Sequence, residues 1–164
     1  MTRTMDRPSK DLAEKTDVAA IIAITRRLQQ HLEERRDGAQ LPRSNDLAEI
    51  AHVTTTRMRV QDIARFLQEH LGQRITARIA KISDPRQVGK WAAGEAQPRQ
   101  DAEERLRAAL QTFQLIQHAE DIYTARAWMI GMNPQLKDET PAQCIADGHF
   151  KDVMVAARAY VDGS

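Results

Sequence analysis

Apolar residues recur at helical spacing along most of the chain, and no run alternates between apolar and polar residues for long enough to predict a strand. Between Val60 and Leu71, for example, Ile63 and Leu67 continue the line that ends at Leu71, and Gly72 follows as a helix stop. Glycine and proline, which break helices, number only 7 and 6. The spacing therefore predicts an all-α protein.

Length and hydropathy bound the class of protein. The 164 residues suffice for one core-bearing domain or for two small ones. No window approaches the roughly 18 apolar residues that a membrane span needs. The N-terminal segment has charges of both signs and no apolar run, so it does not predict a secretory signal. We expect a cytoplasmic protein without a membrane partner.

The cysteine and histidine residues do not indicate a reactive or metal-binding site. Cys144 is the single cysteine, which excludes an internal disulfide, and we expect it to be a small buried apolar group. The five histidines lie in separate segments without the i, i+4 pairing of helical metal sites. Neither a recognisable catalytic triad nor a glycine-rich phosphate loop is present. We therefore expect no metal, no cofactor, no catalytic residues and no enzymatic activity.

Charge is divided unevenly along the chain, although the net charge is only +1. Residues 1–99 contain 18 Lys and Arg against 13 Asp and Glu, a balance of +5, whereas residues 100–164 contain 6 against 10, a balance of −4. Between Arg57 and Arg99 nine bases face four acids. This excess fits a polyanion partner, but a solvated helical face explains it equally well.

Local chemistry also predicts where some helices begin. Residues 46–53, DLAEIAHV, are predicted to form a short helix capped by Ser44 or Asn45. Thr140 is predicted to cap a short helix that carries Pro141 at its first position.

A further short helix is predicted within SDPRQVGKWAAGEAQPR, residues 83–99. Asp84 before Pro85 favours a helix start, because the carboxylate accepts backbone N–H bonds and proline at the first position loses none. Gly94 is the predicted stop. Three residues at i, i+3 and i+4 form the predicted inward face, namely Val88, Trp91 and Ala92. The tryptophan is thus expected to be a core residue.

The opposite face of this helix carries Arg86, Gln87 and Lys90, which are residue types that contact phosphates and base edges. Gly89 would let that side approach another surface closely. A short helix behind a tight turn is how a helix-turn-helix presents such side chains to the major groove.

VGKWAAGEAQP resembles the recognition-helix segment of Xre-type helix-turn-helix regulators. The matching positions are an apolar residue, a small residue, a base, tryptophan, glycine and a later proline, here Val88, Gly89, Lys90, Trp91, Gly94 and Pro98. Gly89 replaces the usual Ser, Ala92 the usual Glu, and Lys81 the Gly that is common in the turn. The resemblance implies DNA contacts from Arg78, Arg86, Gln87, Lys90 and Arg99.

The C-terminal part combines a Trp-bearing helix, an Asn-Pro turn with a following Leu, a Pro-initiated short helix and a final apolar helix. These features lie at Trp128, Asn133, Pro134, Leu136, Pro141, Ile145 and the segment from Phe150 to Val161. Their order resembles the toxin-binding domain of the Xre/MbcA/ParS antitoxin family. The resemblance implies two partners: a RES-domain toxin that consumes NAD, inhibited by covering its active-site entrance, and operator DNA. A homodimer or a hetero-oligomer with toxin is the implied assembly.

Most of these C-terminal residues are expected to be structural. Trp128, Leu136 and Ile145 are predicted core residues, whereas the asparagine and the prolines are predicted to set turns and caps. Toxin contacts are expected from exposed groups of the last helix and tail, namely Arg158, Tyr160 and Asp162. A solvated helix terminus is the alternative for all three, and we favour it slightly at the aspartate.

The sequence thus predicts four segments. They are a disordered lead at 1–15, an N-terminal helical extension at 16–56, an Xre-like helix-turn-helix DNA-binding region at 57–99 and a helical toxin-binding domain at 100–164. The predicted function is an antitoxin of a type II toxin–antitoxin system that also regulates its own operon. The alternative is a stand-alone helix-turn-helix transcriptional regulator without a toxin partner.

Overall fold

The computed structural model of the chain describes residues 43–163, and these residues form helices joined by short loops, with no β-strand among them. In chain order the α-helices are α1 (Ser44–Arg57), α2 (Val60–Leu71), α3 (Gln73–Ile79), α4 (Arg86–Ala93), α5 (Gln100–Ala119), α6 (Ile122–Ile130), α7 (Pro141–Ala146) and α8 (Phe150–Val161). One turn of 3-10 helix, Pro134–Leu136, lies between α6 and α7. The all-α class is confirmed.

Two predictions lie outside the described residues. These are the disordered lead at 1–15 and the first part of the N-terminal helical extension, residues 16–42. In the described part, no helix is long and apolar enough to cross a membrane.

Helix α5 lies at the centre of the fold. It contacts α1, α2, α3, α6, α7 and α8. Leu106, Leu110 and Phe113 are fully buried, as are Leu115 and Ile116 on other sides of the helix. Each such side chain stabilises the fold by roughly 1.5–3 kcal/mol through removal of apolar surface from water. The long helix therefore contributes more buried apolar side chains than any other helix in the described part of the chain.

Because α5 is shared, the predicted segments do not fold apart from one another. Residues 43–163 cluster as one unit. Helix α1, which we assigned to the N-terminal extension, contacts both α5 and α8. The folded unit therefore includes α1, the last part of the predicted N-terminal extension.

The start of α1 corrects a predicted cap. The helix begins at Ser44, and its cap position, Arg43, makes no side-chain bond to the first turn. Instead, the carboxylate of Asp162, just after α8, accepts hydrogen bonds from the Ser44 backbone N–H (3.2 Å) and from its hydroxyl (2.6 Å). Neither Ser44 nor Asn45 is therefore the cap. The Ser44 N–H, which has no acceptor within the helix, is instead bound by the carboxylate of Asp162.

The other end of α1 is held by α5. The guanidinium of Arg107 donates to the carbonyl oxygens of Thr55 (2.7 Å) and Met58 (3.0 Å). Glu103, one turn earlier on α5, pairs with the same guanidinium at 2.7 Å. Since carbonyls at a helix C-terminus have no partner within the helix, this arginine fixes where α1 ends.

Several predicted helix ends are confirmed. Helix α2 spans the predicted residues, and Gly72 ends it with φ 85°. Asn133 caps the 3-10 turn by accepting the Gln135 N–H at 2.9 Å. Thr140 accepts the Gln143 N–H at 3.1 Å, with proline at the first position of α7 as predicted.

We predict that Asp162→Ala lowers the free energy of unfolding by about 1 kcal/mol, because it leaves the buried N–H and hydroxyl of Ser44 without their acceptor. Urea denaturation followed by circular dichroism measures this change. Glu49→Ala, which removes an exposed carboxylate from α1, is the matched control and should change the midpoint little. Equal midpoints for the two variants would contradict the capping role.

Candidate functional site

Helix α4 is fixed on its inner side by packing against α2. Val88, Trp91 and Ala92 are all buried, with at most 6% of their surface exposed. The predicted inward face is therefore confirmed, and the tryptophan is a core residue that sets the distance between α4 and α2.

The first turn of α4 is capped by Asp84. Its Oδ1 accepts the backbone N–H of Arg86 at 3.0 Å and the Nε of the same residue at 3.1 Å. The backbone bond is the main reason that the pKa of Asp84 lies below its ordinary value, and the bond from the Arg86 side chain lowers it further. The predicted cap is thus present, although the helix begins one residue after Pro85, at Arg86.

The last turn of α4 is closed by Gly94 and by a side chain from α2. Gly94 has φ 77°, and the Glu95 N–H donates to the Lys90 carbonyl at 2.9 Å across it. The Arg65 guanidinium donates to the Ala92 carbonyl at 2.8 Å. Both ends of the short helix are therefore held by specific bonds.

Residues 80–85 connect α3 to α4, and the turn depends on one left-handed residue. Lys81 has φ 57°. Its N–H donates to the Arg78 carbonyl, and the N–H of the next residue, Ile82, donates to the Ala77 carbonyl, both at 3.0 Å. This is a Schellman motif, which usually places glycine at the left-handed position. Lysine here adopts the conformation that the glycine of the Xre pattern would adopt.

Gly89 faces the start of α3. A Cβ at this position would lie 3.1 Å from the Gln73 side-chain nitrogen, which itself donates to Gln68 at 3.1 Å. The predicted close approach is therefore to helices of the same unit. Glycine keeps the middle of α4 near this glutamine pair.

The structure distributes the five predicted DNA-contact residues over neighbouring elements. Arg86 and Lys90 are exposed on α4, whereas Gln87 beside them is half-buried. Arg78 is exposed on α3, and Arg99 is exposed immediately before α5. Four of the five thus lie on the two helices joined by the turn.

Sequence reasoning missed two bases next to Arg78. Arg74 and Lys81 line a cleft of about 430 Å³ together with it. Arg74 and Arg78 are spaced i, i+4 on a predicted helix, and residues at that spacing project from the same side. This spacing was the sequence signal that could have identified Arg74. Both bases were counted in the basic excess between Arg57 and Arg99, and Lys81 also as a departure from the turn pattern, but neither was predicted as a contact residue.

The predicted toxin-contact residues differ in their surroundings. Arg158 is exposed, and Tyr160 is 40% exposed. Asp162 is bound to Ser44, so its side chain is committed to the fold and is not a freely solvated terminus.

The predicted core residues of this part are mostly buried. Leu136 and Ile145 are buried as predicted. Trp128 is only half-buried, and its ring contacts the Tyr160 ring at a centroid distance of 6.3 Å. The prediction for the tryptophan was therefore too simple, because one side of its ring remains near solvent.

Further apolar side chains that we did not predict are exposed near the C-terminal helices. The largest exposures are those of Tyr123 (81%), Met132 (72%) and Val155 (66%). The sequence does contain a signal for such exposure. Helix α6 has apolar residues on more than one side, and a helix that buries a single face does not need them all in the core.

Cys144 is buried, as predicted. Burial is the main cause that raises the pKa of its thiol, and the nearby carboxylates raise it further. Among residues 43–163, no three histidine, cysteine or carboxylate side chains lie close enough together to hold a metal ion.

Comparisons of the chain with family models, curated proteins and solved structures found no match. Function is therefore inferred from the two motif resemblances and from the placement of the side chains described above.

We predict that Lys81→Gly is more stable than Lys81→Ala by about 1 kcal/mol, because both variants lose the lysine side chain but only alanine keeps a Cβ in the left-handed conformation. The matched pair at Arg78, which is helical, should show the opposite order by roughly 0.5–1 kcal/mol. Chemical denaturation measures all four variants. The same order at both positions would contradict the turn geometry.

Proposed function

We propose that the chain is an antitoxin that binds operator DNA through α3 and α4 and neutralises a RES-domain toxin through its C-terminal helices. The observation that carries the DNA-binding part is the placement of exposed Arg86 and Lys90 on a short helix whose opposite face is buried through Trp91.

The arrangement of α3 and α4 supports DNA binding. Two short helices follow one another across residues 80–85, and the second turns its polar side outward. A B-DNA major groove, about 12 Å wide, admits one such helix. Arginine, lysine and glutamine on its exposed side are the residue types that contact phosphates and base edges. The nine bases and four acids between Arg57 and Arg99 add a long-range attraction to a polyanion.

The left-handed Lys81 supports the same proposal. Its position is where the Xre pattern has glycine, and its φ of 57° meets the backbone requirement that glycine usually meets. The departure in the sequence is thus compatible with a helix-turn-helix turn. The lysine additionally brings a positive charge to the side of the turn that faces α7.

The C-terminal part supports a protein partner. Its charge balance of −4 is unfavourable for DNA, and exposed Tyr123, Met132 and Val155 offer apolar surface. Tyrosine and arginine are enriched among residues that dominate binding energy, which favours Tyr160 and Arg158 as toxin contacts. The Asp162 carboxylate is left out of the proposed toxin contacts, because it accepts hydrogen bonds from Ser44 at the start of α1.

Inhibition by this chain would be steric, with the C-terminal helices covering the entrance to the toxin's active site. We propose no catalytic step and no cofactor for the chain itself. In this scheme it acts as a homodimer or within a hetero-oligomer with the toxin.

The second candidate is a stand-alone transcriptional regulator. Such a regulator would bind DNA through the same surface of α3 and α4. It would differ from the antitoxin in having no toxin bound to the apolar surface near α6 and α8. A neighbouring open reading frame for a RES-domain protein favours the antitoxin, and its absence favours the regulator.

We predict that Arg86→Ala/Lys90→Ala weakens binding to the promoter region of the chain's own gene by roughly tenfold or more, since each lost contact costs about 1–3 kcal/mol. Fluorescence anisotropy with a labelled duplex measures the affinity. Arg126→Ala/Lys151→Ala, which removes two exposed bases of α6 and α8, is the control and should bind like the wild type. Neutralisation of the toxin should persist in the Arg86→Ala/Lys90→Ala variant. Unchanged DNA affinity, or lost neutralisation in a folded Arg86→Ala/Lys90→Ala variant, would contradict the division of roles.

A further inference from the structure

A positively charged cleft lies between α3, the turn after it and α7. We call it the basic cleft; it has a volume of about 430 Å³. Arg74, Arg78 and Lys81 line one side, and Gln143 and Ala146 of α7 line the other. Pro85, which immediately precedes α4, also lines it, so the cleft adjoins the start of that helix.

The two arginines of the basic cleft carry charge that no carboxylate pairs with among residues 43–163. Arg74 and Arg78 are exposed and stand one helical turn apart. Within the part of the chain that the structure describes, neither guanidinium has a hydrogen bond or an ion pair. Like charges at this spacing repel each other and destabilise a helix, so an anion placed between them would relieve that repulsion.

The carboxylate that pairs with Lys81 at the edge of the cleft is already engaged. Asp147 Oδ1 accepts from Lys81 Nζ at 3.2 Å, and its Oδ2 accepts from the Gln143 amide at 2.8 Å. Each of its oxygens therefore has a donor. The acid holds the lysine at the edge of the cleft and leaves the two guanidinium groups open to an external ligand.

We propose that the basic cleft binds phosphate groups through Arg74 and Arg78, with Lys81 at its edge. Guanidinium forks match phosphate oxygens in a bidentate geometry, and two forks on one side of a concave surface suit a chain of phosphates. Resting on the proposed function, we assign the phosphodiester backbone of the DNA bound by α4 as their source. The DNA contact would then extend past the turn to the edge of α7.

The test compares Arg74→Gln/Arg78→Gln with the wild type in binding to a random-sequence duplex over a range of salt concentrations. The slope of log K against log salt changes by about 0.9 for each phosphate contact, so the double variant should have a slope shallower by about 1.8. Arg126→Gln/Lys151→Gln removes the same number of exposed charges elsewhere and should keep the wild-type slope. Because both arginines are exposed and unpaired, the variant is expected to fold.

A second measurement identifies the source of the phosphate. Titration of each protein with inorganic pyrophosphate, followed by calorimetry, reports on the cleft without DNA. Pyrophosphate binding that is lost only in Arg74→Gln/Arg78→Gln supports the cleft. If the wild type binds pyrophosphate but no DNA, the phosphate site stands and the proposed DNA-binding function fails. Suppose instead that the wild type binds DNA and that Arg74→Gln/Arg78→Gln keeps both the wild-type salt slope and any pyrophosphate binding. The cleft proposal is then overturned, while DNA binding stands.

Discussion

Burial of α5 is the constraint on which the rest of the structure depends. Its apolar residues occupy several sides of the helix, and covering them requires helices from both the first and the last part of the described chain. The α3 and α4 pair and the C-terminal helices are consequently two surfaces of one folded unit. A truncation after Ala156 would remove the fully buried Ala157 and the carboxylate that holds α1. Point substitutions therefore separate the two surfaces more cleanly than truncation does.

Helix α4 shows how the core can position a surface without using its outer side chains. Trp91 fixes its inner side, Asp84 closes its first turn, and Arg65 closes its last turn. The outer side chains then project from a helix that needs no reordering on binding, and such preorganisation lowers the entropic cost of association. Asp84 also accepts a hydrogen bond from the exposed Arg86 side chain.

Local features of the fold were predictable and distant pairings were not. The end of α2 at Gly72, the buried face of α4 and the cap at Thr140 follow from residues a few positions apart, which periodicity and capping chemistry describe. The bond between Ser44 and Asp162 joins residues 118 positions apart, and nothing in either neighbourhood specifies the other. The basic cleft depends likewise on where α7 packs. The candidate DNA surface was therefore anticipated on α4 and at Arg78 of α3, whereas the cleft that α3 forms with α7 required the tertiary structure.

The most direct test of the central claim is co-expression of the full chain with the RES-domain toxin encoded nearest to its gene, with intracellular NAD as the readout. If the chain is an antitoxin, cells that express both proteins keep their NAD and grow, whereas cells that express the toxin alone lose it. Loss of NAD in the presence of abundant, folded, full-length chain would contradict the account and leave the stand-alone regulator as the better description.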